Sequence, residues 1–334
     1  MGTIISLVSG KGGTGKTTAV AAIATSLAAL GKRTLCIDFC IGQSDLDLSL
    51  CLETPTYNFV DVISGVAKLK DAIVSSSNIP GLYFLSSPDS YDFGIDEESF
   101  DSFLKMVREK FDFCIIDTSS GINAEVFMLS EKSDMSIIVT TGEIPAIRRA
   151  AKLASLLSTS GAKEIRVLVN RVVLKNLKFI KTSIDDIIDK VGVRLIGIVP
   201  EDNAVFRSLH KNALLIMYRP MLSIYDFMDI ARRINGEDTP LSTKSFSKRH
   251  FPDFIKKEHD YFIEDIEVPQ LQQPILFSDE PEEYDPVETA NNQPAEPAET
   301  LDDSNAQDAS NPHQLITQVT SIIDEINALG SLFD

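Results

Sequence analysis

Apolar residues along the first 240 positions follow two alternating rhythms. Short unbroken runs recur at Ile4–Val8, Thr34–Asp38, Leu82–Leu85, Phe113–Asp117, Met135–Thr140, Ile165–Asn170 and Arg194–Val199. Between them the apolar positions fall three and four apart. Asp96–Lys110 is the clearest case, with Phe100, Phe103, Leu104 and Val107 on one face. Unbroken runs fit strands buried on both faces, and the helical stretches between them fit crossovers. The pattern predicts an α/β fold with a doubly wound, mostly parallel sheet and helices on both faces. Gly31 follows the first helical stretch, Thr17–Leu30, and is a predicted C-cap. Ligands of such sheets bind beyond the carboxyl ends of the strands. A length of about 240 residues suits one domain with a sizeable core.

The first strand runs straight into Ser9-Gly10-Lys11-Gly12-Gly13-Thr14-Gly15-Lys16-Thr17-Thr18. Glycines 10, 12, 13 and 15 let the backbone turn tightly and aim its N–H groups at a polyphosphate. Lys16 reaches the β- and γ-phosphates, and the Thr17 hydroxyl can ligate Mg²⁺. The helix N-terminus adds partial positive charge. Strand before and helix after make this the signature of a P-loop NTPase, with ATP and Mg²⁺ as cofactors. Residues Gly10 to Thr18 form the expected phosphate cradle.

Other strand ends carry further candidates. Asp117 suits a Walker-B acid that holds Mg²⁺ through water. Asp38 ends the second strand and is the first candidate to position the attacking water; a magnesium-shell or structural role is the other reading. Asp45 and Asp47 follow nearby. Asn170-Arg171 and Pro200-Glu201-Asp202 suit an adenine pocket, because an amide offers a base edge both a donor and an acceptor.

Charge separates the chain into parts. The net charge is -18 over 334 residues. From Glu258 onward there are 19 acids and no Lys or Arg, which leaves 30 acids against 31 bases before it. The acidity therefore belongs to the tail, and the folded part is close to neutral. Residues 241–265 interleave Lys244, Lys248, Arg249, Lys256 and Lys257 with Phe246, Phe251, Phe254 and Ile255, around Pro252. Five such bases could contribute on the order of 5 kcal/mol at an anionic surface; a solvated linker is the alternative. Residues 266–312 are rich in Pro and acids and predict a disordered linker. Residues 313–334 carry Leu315, Ile316, Val319, Ile322, Ile323, Ile326, Leu329 and Phe333 at helical spacing. That terminal helix suits a groove on a partner or on its own domain.

Cysteines 36, 40, 51 and 114 form no C-x-x-C pair and no disulfide framework. A reducing cytoplasm fits. No leader is expected ahead of the first strand, and no apolar run is long enough to span a bilayer. Met1–Ser6 fits an N-myristoylation pattern, but these residues lead directly into the first strand.

Lys11, early in the loop, narrows the class. A second lysine there resembles the deviant phosphate-loop ATPases, a group that includes the MinD, ParA, Mrp/ApbC-like and nitrogenase iron-protein families. The resemblance implies that Lys11 reaches a partner's nucleotide in an ATP-dependent homodimer, acting with Lys16 and Asp38 in catalysis. Ile37–Gly42 with Leu46-Asp47-Leu48, Tyr57–Ile63 and Val199–Asp202 resemble MinD proteins over roughly Met1 to Gly236. This likeness implies an ATPase that cycles on the inner face of the cell membrane and helps place the division septum. Its implied partners are a septation inhibitor and a topological regulator. Cys40 departs from the pattern, because MinD proteins carry a second aspartate there. Turnover is therefore expected to be slow or partner-dependent. Other readings are a FlhG-type flagellar placement ATPase, a ParA-type partition ATPase and an ATP-gated scaffold that does not hydrolyse. The absence of an arginine-rich run makes DNA the less expected partner.

Overall fold

The computed structural model describes residues 1–42, 45–90, 96–173, 183–211 and 223–241. The linkers expected over 241–265 and 266–312, and the helix expected over 313–334, lie outside the described residues apart from Leu241.

One sheet organises the domain. Its strands are β1 (Thr3–Ser9), β2 (Thr34–Asp38), β3 (Val74–Ser75), β4 (Leu82–Leu85), β5 (Phe113–Ser120), β6 (Met135–Thr140), β7 (Ile165–Val172) and β8 (Arg194–Pro200). They lie side by side in the order β3-β4-β2-β5-β1-β6-β7-β8. Only β3 runs antiparallel, pairing with β4 at one edge. β1 sits between β5 and β6. The chain winds outward on one side through β2 and β4, then on the other through β6, β7 and β8. Strand order thus reverses beside β1, which opens a crevice at the carboxyl edge.

The helices among the described residues are α1 (Lys16–Ala29), α2 (Leu46–Leu50), α3 (Phe59–Ile63), α4 (Leu69–Ala72), α5 (Glu97–Lys110), α6 (Ala124–Lys132), α7 (Ile144–Thr159), α8 (Ile184–Val191), α9 (Asn203–His210) and α10 (Ile224–Ile234). Successive strand residues serve opposite faces, as the pleat demands. Ile5 and Leu7 of β1 join Cys36, Ile115, Ile137 and Leu168 in a core under α1 and α10. Ile4, Leu35, Ile37 and Ile116 pack on the other face with Phe100, Phe103 and Val107 of α5. Val8, Ile138 and Val169 share that second face with Ile147, Leu153 and Leu157 of α7.

Helix α1 is buried nearly all round, and six of its 14 residues are alanine. Small side chains let it lie close to the sheet with α10 packed over it. Its buried hydroxyls are satisfied internally: Ser26 donates to the Ala22 carbonyl at 2.7 Å, and Thr25 donates to that of Ala21. Gly31 stops the helix with φ 79. Its N–H donates to Ala28 and that of Lys32 to Leu27, which forms a Schellman cap.

Three features differ from the sequence reading. β3 is a two-residue edge strand that no apolar run announces, so Leu82–Leu85 is fourth rather than third. β5 does not end at Asp117 but continues to Ser120, because Ser120 still pairs with Ser9 across an irregularity in β1. β7 likewise carries Asn170 and Arg171 within the strand, Arg171 at a strained φ of 54. At the N-terminus, the Gly2 N–H donates to Arg108 O at 2.8 Å, and a Cβ there would collide with the Phe111 carbonyl. Among the described residues no helix is long and apolar enough to cross a membrane.

Candidate functional site

Every strand-end motif lies along the carboxyl edge, in two neighbouring groups. The first surrounds the glycine loop. Gly13 and Gly15 adopt φ 75 and 81, which glycine alone takes without strain. Gly10 must also be glycine for reasons of space, since a Cβ would sit 2.9 Å from the Arg149 carbonyl oxygen on α7. The loop is thus pinned against α7 on one side. On the other, Asn170 Nδ2 donates to the carbonyls of Thr14 and Gly15, at 2.9 and 3.4 Å.

Lys16 opens α1 and is buried. Its ammonium donates to the Asp117 carboxylate and to the Thr118 carbonyl. Asp117 belongs to β5, and Asp38 is its direct neighbour in register on β2. Both carboxylates are essentially inaccessible. Asp38 accepts from the Cys40 N–H at 2.9 Å and from the Leu46 N–H at 3.3 Å. It therefore ties together the two ends of the loop that follows β2. Phe39 anchors the same loop by stacking on Phe59 with ring centroids 4.3 Å apart. That contact joins two of the sequence blocks, Ile37–Gly42 and Tyr57–Ile63.

Cys40 enters this centre as a donor and as a neighbour. Its thiol donates to the Thr118 carbonyl at 3.0 Å, and its sulfur lies 3.9 Å from Lys16 Nζ. Burial, followed by the charge of Asp117, pushes the thiol well above its ordinary range, with Lys16 opposing. Glu125 of α6 stands close by. It accepts from Ser119 N at 3.1 Å and Ser119 Oγ at 3.2 Å, and burial raises its carboxyl.

The donor set suits Mg²⁺ and a polyphosphate. Asp117 Oδ2 is buried without a hydrogen-bond partner among the described residues, as is Thr14 Oγ1. An orphaned carboxylate oxygen beside a ring of glycine N–H groups fits a hydrated cation and the anion it accompanies. Thr17 and Thr18 occupy the first turn of α1, and Thr18 lines the adjoining cavity.

That cavity, of about 330 Å³, forms the second group. Gly13, Gly15, Asn170, Arg171, Pro200, Glu201 and Asp202 all line it. Their polar groups also brace one another. Arg171 donates to Gly13 O at 2.7 Å and pairs with Glu201 at 2.9 Å. Asp202 accepts from Ala204 N and Ser223 N, at 2.9 and 3.1 Å, and so caps α9. Phe206 also lines the cavity, although it is 65% exposed. It escaped the sequence reading; being the lone aromatic of the stretch Asn203–His210 was its only signal.

Lys11 stands apart from Lys16. It is half-exposed and pairs with Glu143 at 2.5 Å within the same chain. Nothing in the sequence singles out Glu143. Asp47 spends its carboxylate locally, accepting from Leu48 N and Thr54 Oγ1 at 2.7 Å each.

A lysine closing a glycine-rich loop onto carboxylates at the centre of a doubly wound sheet is the arrangement of phosphate-loop nucleotide-binding proteins. Residues 5–215 match the CobQ/CobB/MinD/ParA nucleotide binding domain, and the chain belongs to that family, within its MinD branch. The septum site-determining protein MinD of Synechocystis sp. is 36% identical over 246 residues, which cover 72% of this chain and 92% of the relative. The MinC:MinD cell division protein complex of Aquifex aeolicus contains a similar chain, with a TM-score of 0.66 and 31% identity, covering 72% of this chain and 98% of that one. MinD of Pyrococcus horikoshii OT3, solved with Mg-ADP, gives a TM-score of 0.61 at 26% identity, covering 70% of this chain and 96% of that one.

Proposed function

We propose that this chain is an ATP-driven switch of the MinD kind. It binds Mg·ATP at the glycine loop, pairs with a second copy of itself, and associates reversibly with the inner face of the cell membrane to help place the division septum. The observation that carries this reading is the meeting of Lys16, Asp38 and Asp117 beside the loop, in a chain whose relatives are MinD proteins.

Thr17, Asp38 and Asp117 would hold Mg²⁺, which supplies charge neutralisation at the β- and γ-phosphates when bound. The residues themselves have distinct tasks. Lys16 moves its ammonium from Asp117 to the phosphate oxygens, exchanging one charge-assisted partner for another. The glycine N–H groups orient the phosphates. Asn170 and Arg171 stiffen the loop from behind, and the cavity at the carboxyl ends of β7 and β8 receives the adenine, with Phe206 as a stacking surface. Lys11 leaves Glu143 and crosses to the partner's nucleotide. An exposed ion pair contributes at most about 1 kcal/mol, so leaving it costs little.

Asp38 orients the attacking water. Cys40 cannot accept a proton from it as a carboxylate would, and its thiol is held by the Thr118 carbonyl. Hydrolysis is accordingly slow until a partner completes the site. The Aquifex MinD solved together with MinC supports a septation inhibitor as one partner. In this reading the 241–265 segment is the lipid contact, and residues 313–334, with their helical spacing, dock on a partner protein.

Co-sedimentation with anionic vesicles tests this reading. Equal Mg²⁺ and salt are used with ATP or ADP. Pelleting with ATP alone is expected. No pelleting with either nucleotide would remove membrane cycling and favour a DNA-partitioning or soluble scaffold role.

A further inference from the structure

Cys40 changes the chemical class of the carboxylate centre. Its sulfur and one oxygen from each of Asp38 and Asp117 lie within 4.8 Å of one another. The two aspartates are paired across β2 and β5, so the backbone fixes their separation. Both are buried, and Asp117 retains an unpartnered oxygen. Three oxygens at this spacing would favour a hard ion such as Mg²⁺. Replacing one with sulfur favours softer ions, because thiolate bonds strongly to zinc-class metals and weakly to magnesium.

We propose that Asp38, Cys40 and Asp117 form a direct O,S,O site for a thiophilic divalent cation of the zinc class. One metal–sulfur and two metal–oxygen bonds form, and the thiol proton leaves to solvent. The charges then balance. Two carboxylates and one thiolate face the divalent ion and the Lys16 ammonium, so these five groups sum to zero, with Glu125 standing outside the set. Lys16 gives up its contact with Asp117 but keeps the Thr118 carbonyl within reach. Three protein ligands in a tetrahedral shell leave one position open for water or for a phosphate oxygen. The site needs no nucleotide, and its presence or absence leaves the ATP reading standing on its own tests.

No other group of three such donors occurs among the described residues. Cys36 and Cys114 are buried in strands, and Cys51 lies apart on the end of α2. Cobalt(II) is a suitable probe, because a cobalt–thiolate bond gives a charge-transfer band that oxygen and imidazole ligands do not. The full chain, free of nucleotide and reduced, is titrated with Co²⁺ and then with Zn²⁺. A saturable band is expected, lost on adding equimolar Zn²⁺ and unchanged by a large excess of Mg²⁺. Cys40→Ser should abolish the band and weaken Zn²⁺ binding at least about a hundredfold, since even outer-shell changes cost ten- to a hundredfold. Cys51→Ser should leave both intact. If Cys40→Ser fails to fold, Cys40→Asp serves instead, and is expected to lose the band while binding Mn²⁺. A wild-type chain with no band, or a band that survives loss of Cys40, overturns the proposal.

Discussion

The phosphate end and the base end of the same crevice are built on opposite terms. At the phosphate end the charged groups are buried and partnered inside the protein: Lys16 with Asp117, and Asp38 with two backbone N–H groups. At the base end Arg171 and Glu201 are half-exposed around a buried Asn170, and the cavity they line stays open. The first region spends stability to hold reactive groups in place, since an unpaired buried charge is costly. The second uses its side chains as struts, Asn170 and Arg171 on the loop and Asp202 on α9. Substitutions should therefore be severe at one end and graded at the other.

Lys16→Ala gives the largest effect. It strands Asp117 in the interior, a loss of about 3–5 kcal/mol by urea denaturation. Nucleotide affinity should fall below detection in a titration with a fluorescent ATP analogue. A Lys16→Ala protein as stable as the parent would break the contrast between the two ends.

Asn170→Asp is next, because it sets a carboxylate against the Thr14 and Gly15 carbonyls. About 1–3 kcal/mol of stability should be lost, with weaker nucleotide binding. Gly197→Ala tests the support beneath the base end, where a Cβ would collide with Ile230 of α10. Overpacking there should cost about 1–3 kcal/mol in the same denaturation, with phosphate contacts untouched. Arg171→Ala removes an exposed pair and should change stability by no more than about 1 kcal/mol.

The smallest effect concerns pH. Burial raises the Glu125 carboxyl, so its folded value lies above its unfolded one. Its protonated form favours folding, and that contribution is lost as pH rises through the folded value. Glu125→Gln should therefore gain stability relative to the parent at neutral pH. The gain should vanish in acid, below about pH 4.3, the ordinary glutamate value. Paired melts across that range decide it.

The two ends also differ in how well the sequence announces them. The glycine loop with Lys16 and Thr17 is local, so ten consecutive residues carry its geometry. Strands β1, β2 and β4 to β8 were legible because each is built around a run of apolar residues buried in the sheet. Asp117 was legible as an acid after such a run, though not as a residue inside a longer strand, since Ser119 and Ser120 extend β5 through pairing alone. The edge strand β3 and the short helices α2 and α4 depend on packing and carry no periodic signal. Glu143 as the partner of Lys11 and Phe206 as a cavity wall arise from residues 132 and 36 positions from their neighbours Lys11 and Asn170. Contacts of that range are set by topology. The sequence did mark Cys40 as a departure, but only the fold reveals that its sulfur lies within 4.8 Å of an oxygen of each carboxylate.

The central claim is that this centre binds ATP normally and is limited in turnover by Cys40. ATP affinity and steady-state hydrolysis should be measured side by side for the parent chain and Cys40→Asp. The account predicts similar affinities and a turnover at least about tenfold faster in the variant, a change of about 1.4 kcal/mol in the barrier. Equal turnover in the two proteins would contradict it.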